Sequence, residues 1–396
     1  MRIAYLHYLS RDDSALTHVG EFARAARDLG ASIDVYAMND AAAPVADSEP
    51  APRPPSLRRS VKRRLSRYLH EPKDLLWNWH HLREEGRLLK RRRPDVLLVR
   101  AHLLTASFVV NARRFGLPLV LEVNAPVLES SVYKREYCHL PYIPSALERW
   151  QLEAADAIAV VSSSLKEYLV DRYGLPPTKL TVVPNGADVT RFRPDVVPDR
   201  VAWRGEASGP VVGFVGSFQE FHGVDMLARM MIRVAAERPA VRFLLVGDRD
   251  KAEAARRMLG HLEDRVVFTG RVPHDRVPAL VNAFDIGVLP ETAFYCSPLK
   301  VVEWMAAGRA IVAPRYGSLR DLIEPGVEGL LFPPRDEDAL LAAVLQLVDD
   351  AGRRSALGDA ARRKAVTSFT WRENARRIIE TCASATDGRA AHSRSA

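Results

Sequence analysis

Cysteine is scarce in this chain: three in 396 residues, at positions 138, 296 and 382. Far apart and odd in number, they exclude a disulfide framework, offer no metal-ligand spacing and favour a reducing cytosol. No apolar run approaches the roughly 18 residues of a membrane span. No signal peptide is expected either, since Met1 and Arg2 run straight into Ile3-Ala4-Tyr5-Leu6, an expected first core strand. Loop 10–17 after that strand holds no glycine, so a dinucleotide fingerprint is also absent.

Excess charge is confined to one place. Residues 53–93 carry 14 Lys and Arg against 4 Asp and Glu, a net +10, which leaves −2 for the rest of a chain totalling +8. Within that segment Leu57, Val61, Leu65, Tyr68 and Leu69 share one helical face, crowded by Arg58, Arg59, Lys62, Arg63, Arg64 and Arg67. A basic amphipathic helix of this kind fits an anionic membrane surface through residues 57–69, or a protein, or simply rests on its own domain. Nucleic acid is not an expected partner, because no second basic element interleaved with aromatics occurs elsewhere. Trp77 and Trp79 read as core or groove lining.

The length predicts two or three domains. Apolar strands alternate with helical patterns at 3–40, 95–183 and again from 210, which argues α/β folding with parallel, doubly wound sheets. Residues 1–192 form one expected domain, with 53–93 as a basic insertion. Residues 193–209, mixing Pro and Gly with charges, read as a linker, and 210–365 as a second domain. A last helix is expected over 366–383 and a patternless, disordered tail over 384–396.

The most informative stretch is SPLKVVEWMAAGRAIVAP at 297–314. Ser297 as N-cap and Pro298 as first helical residue predict a helix start. Val301, Trp304 and Met305 form its apolar stripe, Gly308 stops it, and 310–313 enter a strand. A helix N-terminus offers free N–H groups and partial positive charge to a phosphate. Lys300 adds a full charge in that turn. Glu303, one turn further in, suits a ribose diol. A plain capped helix on a sheet, with Glu303 solvated, is the competing reading.

Taken together with VSSSLKEYLVDRYG at 161–174, LTVVPNGADVTRFRP at 180–194, VVGFVGSFQEFHGVDML at 211–227 and VVFTGRVPHDRVPALVNAFDIGVLP at 266–290, this stretch closely resembles family-four retaining glycosyltransferases of the GT-B fold. The resemblance implies two Rossmann-like domains facing a central cleft. It implies a UDP- or GDP-linked sugar as co-substrate on the C-terminal half, a final helix returning to the first domain, and no cofactor. Glu303 matches the family's ribose-binding glutamate. The partner glutamate eight positions earlier is replaced by Tyr295, but the Ser297, Pro298, Leu299 and Lys300 run matches a subtype that holds the diphosphate with backbone amides and the lysine. Gly216 and Gly223 match the glycines of the diphosphate loop, while Ser217 and His222 replace its two cations. Arg271 and Val272 complete the implied donor-binding positions. In the N-terminal half the glycine-rich acceptor loop would fall at Asp13 and Ser14, with His18 just beyond. The family's frequent His-Asp after the strand is replaced by Asn124-Ala125, and Asn124 and Glu122, two residues earlier, are expected to face the cleft, with a structural salt bridge as the competing explanation for a carboxylate inside a strand. Asn185, Gly186 and Asp188 read as a structural turn.

Retention then needs no strong base, because the departing phosphate oxygen can take the acceptor's proton while Lys300, His222, Ser217 and the helix start stabilise the leaving group. The acceptor class is a saccharide or a lipid-linked saccharide, which puts the expected location in the cytoplasm, at the inner membrane face when the acceptor is a lipid. No metal site is expected: Asp248-Arg249-Asp250 spells Asp-x-Asp, but such short matches arise by chance. A nucleotide-sugar epimerase of the same fold, or a degenerate transferase serving as a binding subunit, are the alternatives.

Overall fold

Among the described residues, the apolar runs form twelve strands in two six-stranded sheets, every pairing parallel. The structure, a computed structural model, describes residues 1–9, 15–39, 58–102, 104–126, 142–199, 209–248 and 250–395, without the side chains of 58–74 and 390–395. The chain divides into two compact units. One comprises Met1–Val161, Leu165–Val183 and Ala375–Ala396, the other Ser162–Ser164 and Pro184–Asn374. Each is an α/β unit of Rossmann type, as expected.

In the first unit the strands are β1 (Arg2–His7), β2 (Ser32–Ala37), β3 (Val96–Arg100), β4 (Leu119–Val123), β5 (Ala157–Val160) and β6 (Leu180–Val182), in the order β2-β1-β3-β4-β5-β6. The helices are α1 (Leu16–Asp28), α2 (Arg58–Arg92), α3 (Ser107–Phe115), α4 (Tyr142–Ala154) and α5 (Ser163–Tyr173). Burial of β3 and β4 on both faces explains their unbroken Val and Leu. The basic segment is one helix of 35 residues. Its C-terminal half is anchored at a buried Glu85, which accepts hydrogen bonds from Tyr8 Oη (2.8 Å), Ser107 Oγ (2.5 Å) and Asn111 Nδ2 (2.8 Å). The amphipathic face expected over 57–69 involves side chains outside the described set. Trp79 is not core: it is 61% exposed, with the Arg83 guanidinium 4.6 Å above its ring.

The second unit contains β7 (Val211–Val215), β8 (Arg242–Val246), β9 (Val266–Gly270), β10 (Ile286–Val288), β11 (Ala310–Pro314) and β12 (Leu330–Phe332), in the order β12-β11-β10-β7-β8-β9. Its helices are α6 (Val224–Glu237), α7 (Glu253–Met258), α8 (Val277–Asn282), α9 (Leu299–Ala306), α10 (Gly317–Arg320), α11 (Glu337–Asp349) and α12 (Ala351–Ser368). Strand order reverses between β7 and β10, the point at which open α/β sheets bind ligands beyond their carboxyl ends.

Three sequence expectations need correction. The division falls at Pro184 instead of after residue 192, because the Asn185 turn bonds to Ser297 and Ala187 bridges to Thr370. Residues 193–199 are no free linker, since Asn282 Nδ2 donates to the Arg193 and Val196 carbonyls and Arg276 pairs with Asp199. The segment from 384 is not patternless either, for α13 (Trp371–Ser395) runs through it. Cys382 and Ala385 are buried, and Arg389 bonds to Asp156 and to the Leu117 carbonyl, so packing replaces the missing periodicity. Among the described residues no helix is long and apolar enough to cross a membrane.

Candidate functional site

The carboxyl end of β7 leads to Gly216 and then to a short 3-10 turn, Glu220–His222. That turn is closed by a reciprocal pair of bonds in which the Gln219 side chain accepts from the His222 N–H and His222 Nδ1 accepts from the Gln219 N–H. Gly223 follows at φ +64°, a left-handed conformation that glycine adopts without strain, and starts α6. The imidazole is thereby fixed, and its neutral form must carry the proton on Nε2.

Lys300 reaches this ring from the first turn of α9. Its Nζ lies 3.1 Å from His222 Nε2 and 4.7 Å from the centre of the Phe214 ring. A side chain at Gly216 would not permit this, since a Cβ there would stand 2.7 Å from Nζ. Burial, then the Lys300 charge, pushes His222 down to about 2, so the ring is neutral. Burial also lowers Lys300 to about 7, against the opposing pull of Cys296 and Glu303. Two donors, Nε2–H and the ammonium, thus converge. When Lys300 is neutral, its lone pair accepts from Nε2–H.

Ser297 does not cap α9. Pro298 is the N-cap and no side chain caps the helix, while Ser297 Oγ accepts from the Asn185 N–H (3.1 Å) and its carbonyl from Asn185 Nδ2 (2.7 Å). The expected cap is therefore a clamp that orients the chain entering the helix, and among the described residues no side chain bonds the first amides of α9. Pro298 and Leu299 are partly exposed at that start. Glu303 sits one turn on, its carboxylate 3.6 Å from His274 Nε2. His274 was not singled out from sequence. It lies in the RVPHD run just after Arg271 and Val272.

The remaining expected donor positions divide. Ser217 is exposed beside Gly216, and Tyr295 is buried with its carbonyl held by Ser162 Oγ at 2.7 Å. Val272 is partly buried against the core. Arg271 is turned to Asp248, 2.6 Å away, and Asp248 Oδ1 also accepts from the Asp250 N–H. The Asp-x-Asp run thus forms an ion pair and a turn. Among the described residues no group of three or more His, Cys, Asp or Glu is placed to hold a metal ion.

The first unit has its own polar cluster, at the carboxyl end of its sheet. Glu122, 3% exposed, receives Tyr5 Oη, Arg100 Nη1 (2.6 Å) and Asn124 Nδ2 (2.6 Å), with His18 Nδ1 at 3.4 Å. Burial raises this carboxyl, but Arg100, His18, Tyr5 and Asn124 outweigh it and hold the group below its ordinary value. Burial takes His18 down to about 4 despite the pull of Glu122. Glu122 is thus a buried, paired hub, as the salt-bridge reading of a carboxylate inside a strand has it. Asn124 and Arg100 are the partly exposed members. Tyr5 and Arg100 were missed because strand periodicity marks them only as core. Asp13 and Ser14 lie outside the described residues.

Comparison with known proteins gives the chemistry a context. Residues 209–350 match the family described as glycosyl transferases group 1, and residues 15–191 match glycosyltransferase family 4. The 2-deoxystreptamine glucosyltransferase of Streptomyces kanamyceticus is 30% identical over 278 residues, 66% of this chain and 70% of that protein. The GDP-mannose-dependent alpha-(1-6)-phosphatidylinositol monomannoside mannosyltransferase of Mycolicibacterium smegmatis is 29% identical over 277 residues, 66% of this chain and 72% of that one. In fold, the Anabaena protein HepE, crystallised with UDP and glucose, superposes with a TM-score of 0.67 at 17% identity, covering 97% of this chain and all of that one (100%).

Proposed function

The chain belongs to the group 1, family-four glycosyltransferases of GT-B fold, and from that premise we propose that it transfers a sugar, with retention, from a UDP- or GDP-linked donor to a saccharide or lipid-linked acceptor. The observation that carries the donor half of this reading is the convergence of Lys300 Nζ and His222 Nε2 beside the uncapped start of α9, with Glu303 one turn beyond. The pair and the helix amides take the diphosphate, and Glu303 takes the ribose hydroxyls. As the glycosidic bond breaks, negative charge grows on the leaving phosphate, where Lys300 in its ammonium form and the Nε2–H of His222 stabilise it. The leaving oxygen accepts the acceptor's proton, so the residues position and stabilise and none is needed as a strong base. Ser217 adds one hydroxyl donor at the edge of the loop.

The first unit takes the acceptor, with Arg100 and Asn124 as its partly exposed polar groups and Glu122 holding both in place. A cytoplasmic enzyme working at the inner membrane face on a lipid-linked acceptor fits the basic segment 57–69. The phosphatidylinositol monomannoside acceptor of the mycobacterial relative supports that choice. The test is a panel of nucleotide-sugars, read by protection against thermal unfolding and by slow donor hydrolysis. One or more UDP- or GDP-sugars should protect, and Glu303→Ala should abolish the protection. Protection by none, with no binding of either nucleoside diphosphate, refutes the reading.

A further inference from the structure

Beyond the diphosphate-binding pair, the second unit holds a carboxylate with an unfilled acceptor position. Glu291 lies three residues past the end of β10, the strand paired with β7 where the strand order reverses. It packs directly on the donor loop: a Cβ placed on Gly223 would stand 2.7 Å from the Glu291 Cβ, and Gly223 immediately follows His222. One oxygen is fixed, since Oε1 accepts the Thr292 N–H at 2.9 Å. Among the described residues the other, Oε2, is buried without a hydrogen bond, and its neighbour of opposite charge is Arg335 Nε at 3.7 Å. That guanidinium is 83% exposed, on a residue with φ +65°, and is a loose counter-charge.

A buried carboxylate oxygen left without donors is costly, and most such atoms in folded proteins are paired. Phosphate oxygens are acceptors and anionic, so they cannot satisfy it. Hydroxyl groups can, and a hexose joined to the diphosphate brings several into the neighbourhood of Lys300 and His222. Resting on the donor-site reading above, we infer that Glu291 accepts hydrogen bonds from hydroxyl groups of the transferred sugar and so selects which sugar is used. A site built to pair with a hydroxyl discriminates strongly against a donor that lacks it or presents it on the other face, because the acceptor is then left buried and unpaired.

The test compares wild type, Glu291→Gln and Arg335→Ala for two quantities: affinity for UDP and GDP by calorimetry, and kcat/KM for transfer or hydrolysis across the panel of nucleotide-sugars. The expected result for Glu291→Gln is unchanged nucleoside-diphosphate affinity. Its kcat/KM should fall about 10- to 100-fold for the preferred nucleotide-sugar, with a flattened preference among epimers. Arg335→Ala should keep the wild-type preference. Loss of diphosphate affinity in parallel, an unaltered preference in Glu291→Gln, or the same change in Arg335→Ala would each overturn the inference, the last by making Glu291 merely an anchor for the Arg335 loop. Wild type that binds neither nucleoside diphosphate would overturn the donor reading itself, and this assignment with it. The outcomes are therefore separable.

Discussion

Replacing Lys300 with Met should make the protein more stable and useless as a diphosphate binder. Lysine in an unfolded chain titrates near 10.5, and burial under Phe214 and beside His222 lowers Lys300 to about 7. The folded value is the lower one, so between pH 7 and 10.5 the unfolded chain binds more protons. Stability therefore rises with pH across that window and falls toward neutrality. At pH 7.5 the lowered affinity for the proton costs up to about 4 kcal/mol, and at pH 9.5 only about 1.5 kcal/mol. Methionine fills the stem's volume without the charge. Lys300→Met should then unfold later than wild type at pH 7.5, at about 2–4 °C per kcal/mol recovered for a domain of this size, and the gap should narrow as pH rises. Thermal unfolding of both proteins from pH 7 to 9.5 measures it, and calorimetry with UDP and GDP should show at least a 100-fold loss of affinity, about two charge-assisted hydrogen bonds. A variant less stable than wild type at pH 7.5, or a gap that stays constant with pH, would refute the account of Lys300 as a charge held short of partners.

The same titration sets the pH dependence of wild-type binding: above pH 7 the affinity for a nucleoside diphosphate should fall about tenfold per unit as Lys300 loses its proton, and calorimetry in buffers of different ionisation heat should record proton uptake. Gly216→Ala places a methyl 2.7 Å from Nζ. It should weaken UDP or GDP binding about 10- to 100-fold with little change in the urea midpoint. Glu122→Gln leaves Arg100 without its buried counter-charge and should cost about 3–5 kcal/mol in urea unfolding. In wild type the lowered Glu122 carboxyl makes stability present at neutral pH and lost on acidification through its folded value, a slope the variant should lack.

How much of this was legible in the sequence depends on the range of the interaction. Strand–helix alternation, the Gly308 stop and the Lys300–Glu303 turn are written in residues a few positions apart, and each is where it was read. Ser297 was misread because the residue that claims its oxygen, Asn185, is 112 positions away, and local capping rules cannot see a competitor outside the helix. Glu122 shows the same limit: its carboxylate is matched by Tyr5, 117 positions earlier, and Arg100, 22 earlier, both hidden within apolar strand patterns. Counting charges was misleading in a subtler way. With Ser217 and His222 at the two positions where the resemblance implies cations, the loop looks impoverished. Yet an arginine or lysine in place of His222 would face Lys300 across about 3 Å and drive its proton off altogether. A neutral imidazole, locked by Gln219 so that Nε2–H points at Nζ, puts no second positive charge beside Lys300. The substitution that looked like a loss is therefore compatible with a part-buried lysine at that place. It follows that His222→Lys, the change that would restore the family's residue, should lower nucleoside-diphosphate affinity in this chain instead of raising it, unless Lys300 is removed at the same time. Calorimetry on the single and double variants decides the matter, and a single variant that binds more tightly than wild type would mean the two positions are not coupled as described.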